Sequence, residues 1–172
     1  MSRMQADPSV RTGYLAWQVT HVMGARLERA LRSLDLTTAQ HNALQHLVWT
    51  PGISAAEIAR RTGFTPQSMG TAVNALVDRG LLVRREHPSN RRTVRLSVTD
   101  KGVELAERAR DLVERLDREA LAVLAPAERS AVHSLLYRML AELNPAALPP
   151  MDPRDANSGT DPIPPDSAVE PR

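Results

Sequence analysis

Residues 61–86 read RTGFTPQSMGTAVNALVDRGLLVRRE. Gly63 suits the left-handed turn that ends a helix, Thr65 can cap the next one, and Pro66 takes its first position, where a missing N–H costs nothing. A helix is therefore expected from residue 66 to about 79, stopped by Gly80. Met69, Val73, Leu76 and Val77 share its inward face at helical spacing. The opposite face presents Gln67, Thr71 and Asn74, with Ser68 beside them. No charged residue lies between Thr65 and Val77, an odd composition for a helix face that meets only water.

Two short helices are expected upstream. Thr37-Thr38-Ala39-Gln40 is a capping-box pattern followed by Leu44, Leu47 and Val48, and Ser54-Ala55-Ala56-Glu57 is a second, followed by Ile58 and Ala59. Downstream, LLVRRE (81–86) and TVRLSV (93–98) flank HPSNRR (87–92), which reads as two strands around a turn. Val94, Leu96 and Val98 alternate with Thr93, Arg95 and Ser97, the period of a half-buried ribbon. Thr99 then caps a further helix, with Asp100 at the positive end of its macrodipole, running to about residue 124. Helix, helix, turn, helix, hairpin is the order of a winged helix-turn-helix, so the fold class is mainly α (α+β). In that fold the second motif helix can enter a DNA major groove.

Three long helices flank this block, over residues from about 8 to 34, from 99 to 124 and from 127 to 143. The last carries Val132, Leu135, Leu136, Met139, Leu140 and Leu143 in i, i+3, i+4 register. The first carries Leu15, Val19, Val22, Met23 and Leu27 as one stripe, with Val10, Tyr14 and Trp17 off it. The small middle core cannot cover all of these stripes, and a second copy of the chain is the most economical partner. The organisation expected is a helical dimerisation lobe from residues 8–34 and 99–143, a DNA-binding lobe from 35–98, and a disordered tail over 144–172. That tail holds eight of the 13 prolines and little apolar periodicity.

Charge follows the same division. The net charge is only +2, but the tail holds five acids against two bases, so the first 143 residues carry 20 bases against 15 acids. The basic excess lies in the body. Cysteine is absent, which excludes disulfides and thiolate chemistry. No run reaches the ~18 apolar residues of a membrane span, and the first residues lack a signal-peptide core, so a cytoplasmic location is expected and no membrane partner.

The chain resembles the MarR (multiple-antibiotic-resistance regulator) family of bacterial transcriptional regulators over residues from about 10 to 143. The resemblance rests on the Thr-x-x-Gln start at Thr37, on Pro51-Gly52-Ile53-Ser54 before Ala56-Glu57-Ile58-Ala59, and on Gly80-Leu81-Leu82-Val83-Arg84-Arg85. It rests also on the wing signature Asp-x-Arg, five residues, Leu-Thr, which here reads Asn90-Arg91-Arg92, five residues, Val98-Thr99, then Asp-Lys-Gly. The resemblance implies a homodimer on double-stranded DNA, usually a repressor released by a small aromatic or phenolic effector. It implies that Arg92 is the wing arginine that reaches a minor groove and that residue 90 orients it. Asn90 can accept a hydrogen bond from a guanidinium but cannot form the ion pair.

The candidate base readers are Gln67, Ser68, Thr71 and Asn74, since Gln and Asn can pair bidentately with adenine while Ser and Thr bond more loosely. Asn90, Arg91 and Arg92 are the candidate wing contacts, and Thr65, Arg84, Arg85 and Arg95 candidate DNA-backbone contacts. Tyr14, Trp17 and His21, at i, i+3 and i+7, are candidates for an effector pocket, with packing in a dimer interface as the alternative. His41 and His46 are five residues apart, so neither metal ligands nor cofactors are expected. An enzymatic reading would need a glycine-rich cofactor loop and a catalytic domain, and the sequence offers neither. A non-specific architectural or protein-docking winged helix is the competing function.

Overall fold

The computed structural model describes residues 7–87 and 90–148, with the side chains of residues 86, 87 and 90–94 outside that description. Among the described residues six α-helices and one hairpin follow in order: α1 (Thr12–Leu31), α2 (Thr38–Trp49), α3 (Ala55–Thr62), α4 (Pro66–Asp78), β1 (Leu82–His87), β2 (Asn90–Val98), α5 (Asp100–Leu121) and α6 (Pro126–Leu143). These elements fall into two compact units divided between Val123 and Leu124. The first holds a winged helix-turn-helix together with α1 and α5; the second holds α6.

Local chemistry accounts for most of the boundaries. Thr37 Oγ1 accepts from the Gln40 N–H while Gln40 Oε1 accepts from the Thr37 N–H, a complete capping box. Ser54 departs from its expected box. Its hydroxyl accepts from the Glu57 N–H, but the Glu57 carboxylate turns to Arg60 and Arg61 instead of back to the cap. Two guanidiniums outbid one backbone N–H because hydrogen bonds between charged groups are the stronger ones. The same contacts, Arg60 first and Arg61 next, hold the Glu57 carboxyl below its usual range. On α6 Glu128 accepts from the Ala125 N–H at 2.7 Å, half of a box that alanine cannot complete.

The first helix is shorter than its expected span. A 3-10 turn over Pro8–Val10 precedes it and another over Arg32–Leu34 follows, ending at Asp35 with φ 52°. This left-handed residue is unusual without glycine, and the Arg79 guanidinium donates to its carbonyl at 2.6 Å. Beyond α6, Pro145–Ala147 forms a 3-10 turn, so order extends a few residues into the expected tail; residues 149–172 lie outside the description.

The core of the first unit is built from Leu31 of α1, Leu44 and Leu47 of α2, Ile58 of α3, Met69, Val73 and Leu76 of α4, Leu81, and Leu82 and Leu96 of the hairpin, all buried. Leu105, Ala106 and Ala109 of α5 close it. The hairpin is antiparallel with Leu82 opposite Val98 and Arg84 opposite Leu96. His87, Asn90, Arg91 and Arg92, which HPSNRR assigned to the turn, belong to the strands, and residues 88 and 89 lie outside the described residues. The register slips between Glu86, opposite Val94, and His87, opposite Asn90. Arg91 and Arg92 therefore fall in β2 within this irregularity of the pairing.

His41 is buried on α2, and its Nδ1 has no hydrogen-bond partner. Burial, then the neighbouring His46, pushes its pKa down from 6.5; His46 is pushed down by burial and then by Arg61. The unfolded chain thus binds more protons than the folded one at pH values below about 6.5, so stability is complete above that pH and is lost as pH falls toward the depressed native values. Thermal melts from pH 7.5 to 5 should show this loss, and His41→Leu should reduce it. An equally steep pH dependence in the variant would contradict the assignment.

Candidate nucleic-acid interface

The turn before α4 aims the helix. Gly63 ends α3 at φ 73°, and the Thr65 hydroxyl oxygen accepts from the Ser68 N–H at 3.1 Å. Thr65 thus spends an acceptor on the cap and keeps its hydroxyl proton available. With Met69, Val73 and Leu76 locked in the core, α4 cannot rotate, and Gln67, Ser68, Thr71 and Asn74 are all exposed on its outer face. Sequence periodicity and structure agree here.

The four candidate readers are not equivalent. The Thr71 hydroxyl donates to the Gln67 carbonyl at 3.1 Å, which leaves its methyl and lone pairs facing outward. Gln67, Ser68 and Thr71 line an open cleft of about 780 Å³ whose other walls include Glu28 of α1, Arg32 just beyond it, residues 36–40 at the start of α2, and Phe64. Asn74 lies on the wing side instead, where its Oδ1 accepts from Arg84 Nη2 at 2.5 Å.

The pleat explains why the basic strand residues part company. Arg84 faces Leu96 across the hairpin and shares the side of Leu82 and Val98, toward α4. Arg85 and Arg95 sit directly opposite one another on the other side, both exposed. Like charges in that position are destabilising unless an anion joins them. The Arg95 side chain also covers Gly52, lying 3.7 Å from where a Cβ would stand. Arg84 had been grouped with Arg85 and Arg95 as a backbone contact; strand alternation was the signal that separates it. Asn90, Arg91 and Arg92 are placed by their backbone in β2, and their side chains are outside the described part.

Tyr14, Trp17 and His21 do come together. The Tyr14 and Trp17 rings are 6.2 Å apart, and Trp17 and His21 stack at 5.5 Å with planes 14° apart. They form an exposed column along α1, with Trp17 59% exposed, and do not line the cleft beside α4. Periodicity alone had not pointed to that cleft, because its walls come from three helices distant in sequence.

A helix-turn-helix presenting an uncharged polar face beside a basic ribbon is the architecture of a DNA-reading winged helix. A family model described as MarR family matches residues 34–93. The HTH-type transcriptional repressor Rv2887 of Mycobacterium tuberculosis is 37% identical over 132 residues, covering 76% of this chain and 91% of the repressor. Two solved structures of that protein superpose well. The complex with p-aminosalicylic acid has a TM-score of 0.66 at 32% identity, covering 75% of this chain and 98% of that one. The complex with DNA has a TM-score of 0.63 at 31% identity, covering 75% and 97%. The chain belongs to the MarR family of transcriptional regulators.

Proposed function

We propose that this chain is a homodimeric, sequence-specific DNA-binding repressor, acting in the cytoplasm on an imperfect palindrome and released by a small aromatic or phenolic effector. The observation that carries the reading is the outer face of α4, where Gln67, Ser68, Thr71 and Asn74 stand exposed and uncharged while the helix is anchored from behind. Bidentate and hydroxyl contacts to base edges need such side chains. Arg85, Arg95 and the wing residues Asn90, Arg91 and Arg92 supply the phosphate and minor-groove contacts, with Thr65 at the α4 start.

Dimerisation is supported by apolar surface that a single chain leaves exposed. Leu15, Val19 and Val22 on α1 and Leu135, Leu136 and Met139 on α6 are each about half exposed or more. A dimeric lobe built from residues 8–34 and 99–143 would cover them and set the two α4 helices roughly 34 Å apart, one DNA turn. An aromatic effector is supported by the relative crystallised with p-aminosalicylic acid, and the Tyr14, Trp17 and His21 column is its candidate contact. Among the described residues no helix is long and apolar enough to cross a membrane.

Selection of bound duplexes from a random pool, with and without salicylate, tests the reading as a whole. A palindrome bound ~10³-fold more tightly than random DNA, and weakened by the ligand, is the expected result. A ratio near one at physiological salt would support an architectural role instead. Arg92→Ala is expected to weaken binding to all sequences alike and to lower the slope of log affinity against log salt by about one. A salt series on the selected duplex checks this, and an unchanged slope would remove Arg92 from the DNA contacts.

A further inference from the structure

We infer that Arg84 is a positioning residue that fixes the amide of Asn74 and thereby sets which base Asn74 prefers. The inference rests on the proposal that α4 reads base edges. Its physical basis is the single bond from Arg84 Nη2 to Asn74 Oδ1 at 2.5 Å, between two residues both exposed and ten apart in sequence. A guanidinium only donates, so the atom of Asn74 that faces it must be the oxygen. The amide orientation is thereby determined by chemistry.

The consequence concerns recognition. A free asparagine reads adenine bidentately, accepting from the N6 amino group with Oδ1 and donating to N7 with Nδ2. Here Oδ1 faces the wing and is engaged by a cation, and among the described residues Nδ2 makes no hydrogen bond. The guanidinium takes one of the two Oδ1 lone pairs and turns that oxygen to the wing, so the end of the amide left wholly unengaged is the amino group, a pure donor. Guanine presents two acceptors in the major groove, O6 and N7, whereas adenine presents one acceptor beside an amino group that would find no partner. Asn74 held in this way favours guanine. Arg84 can hold it because the hairpin pleat turns Arg84 toward α4 while Arg85 points to the other side.

The alternative role for Arg84 is a phosphate contact, and the two differ in what they change. A phosphate contact alters affinity and salt slope for every sequence and leaves base preference alone. A positioning contact alters one column of the selected site. The experiment selects sites from a random duplex pool with the full-length wild type, Asn74→Ala, Arg84→Met and Arg84→Lys, and adds a salt series for wild type and Arg84→Met. The column that loses its preference in Asn74→Ala identifies the base read by Asn74. Wild type should favour guanine there over adenine by roughly tenfold. Arg84→Met should shift that column toward adenine with an unchanged salt slope, and Arg84→Lys, which still donates to Oδ1, should keep guanine.

Adenine at that column in the wild type would overturn the inference while leaving α4 as the reader. So would an unchanged column in Arg84→Met together with a slope lowered by about one. A wild type that selects no sequence would instead remove the base-reading role of α4 itself, and this inference with it.

Discussion

Gly102→Ala is expected to destabilise the chain by about 3 kcal/mol, lowering its melting temperature by roughly 10 °C at fixed protein concentration. A Cβ on Gly102 would stand 2.2 Å from the Leu81 carbonyl oxygen and 2.7 Å from Val98 Cγ1. That carbonyl has no freedom to retreat. It accepts from the Thr99 N–H at 3.1 Å, the Thr99 hydroxyl holds the adjoining Gly80 carbonyl at 2.8 Å, and the Leu81 N–H is bonded to the Leu76 carbonyl at 2.9 Å. The close approach matters because it joins three elements at one point: the end of α4, the start of the wing and the first turn of α5. Gly70, in the middle of α4, has nothing within 4 Å of its virtual Cβ. Gly70→Ala should therefore raise stability by up to about 1 kcal/mol through helix propensity alone. Thermal melts of the two variants form a matched pair, and equal behaviour would refute the steric account.

Leu136→Gln combined with Leu140→Gln is expected to convert the proposed dimer into a monomer and to reduce affinity for a palindromic site by roughly 10²–10⁴-fold, the loss that follows when two linked half-site contacts become independent. Leu136 is 55% exposed and Leu140 37% exposed on α6. They lie one turn apart on the same face, and because each is already partly covered within its own chain, burying the rest against a partner is worth about 1 kcal/mol per side chain. Glutamine keeps the length and helix propensity of leucine without adding charge, so a fall in affinity cannot be assigned to repulsion from DNA. Sedimentation analysis and titration with a palindromic duplex and a single half-site check it. A persistent dimer would place the interface elsewhere. If the dimer dissociated and palindrome affinity stayed intact, the link between assembly and binding would fail.

The elements themselves were legible from residue order. Capping depends on residues three positions apart, as at Thr37 and Gln40, and the Thr65-Pro66 start of α4 and the Gly63 turn are equally local. Alternation likewise placed Leu96 on the inward side of the hairpin. Where the reading failed, a competing partner decided. Ser54 lacks a reciprocal box because Glu57 found Arg60 and Arg61 within one turn. The turn of the hairpin was drawn too long because composition marks HPSNRR as polar but carries no register, and the slip between Glu86 and His87 is a property of the pairing.

The exposed, uncharged face of α4 and the helical stripes of α1 and α6 were determined by the sequence alone, because periodicity acts through geometry that every helix shares. The tertiary structure decided that Asn74 is held by Arg84, that Gln67, Ser68 and Thr71 look onto a cleft shared with α1 and α2, and that Gly102 must lack a side chain. Each of these depends on the distance and angle between elements remote in sequence, and packing, not local preference, sets those.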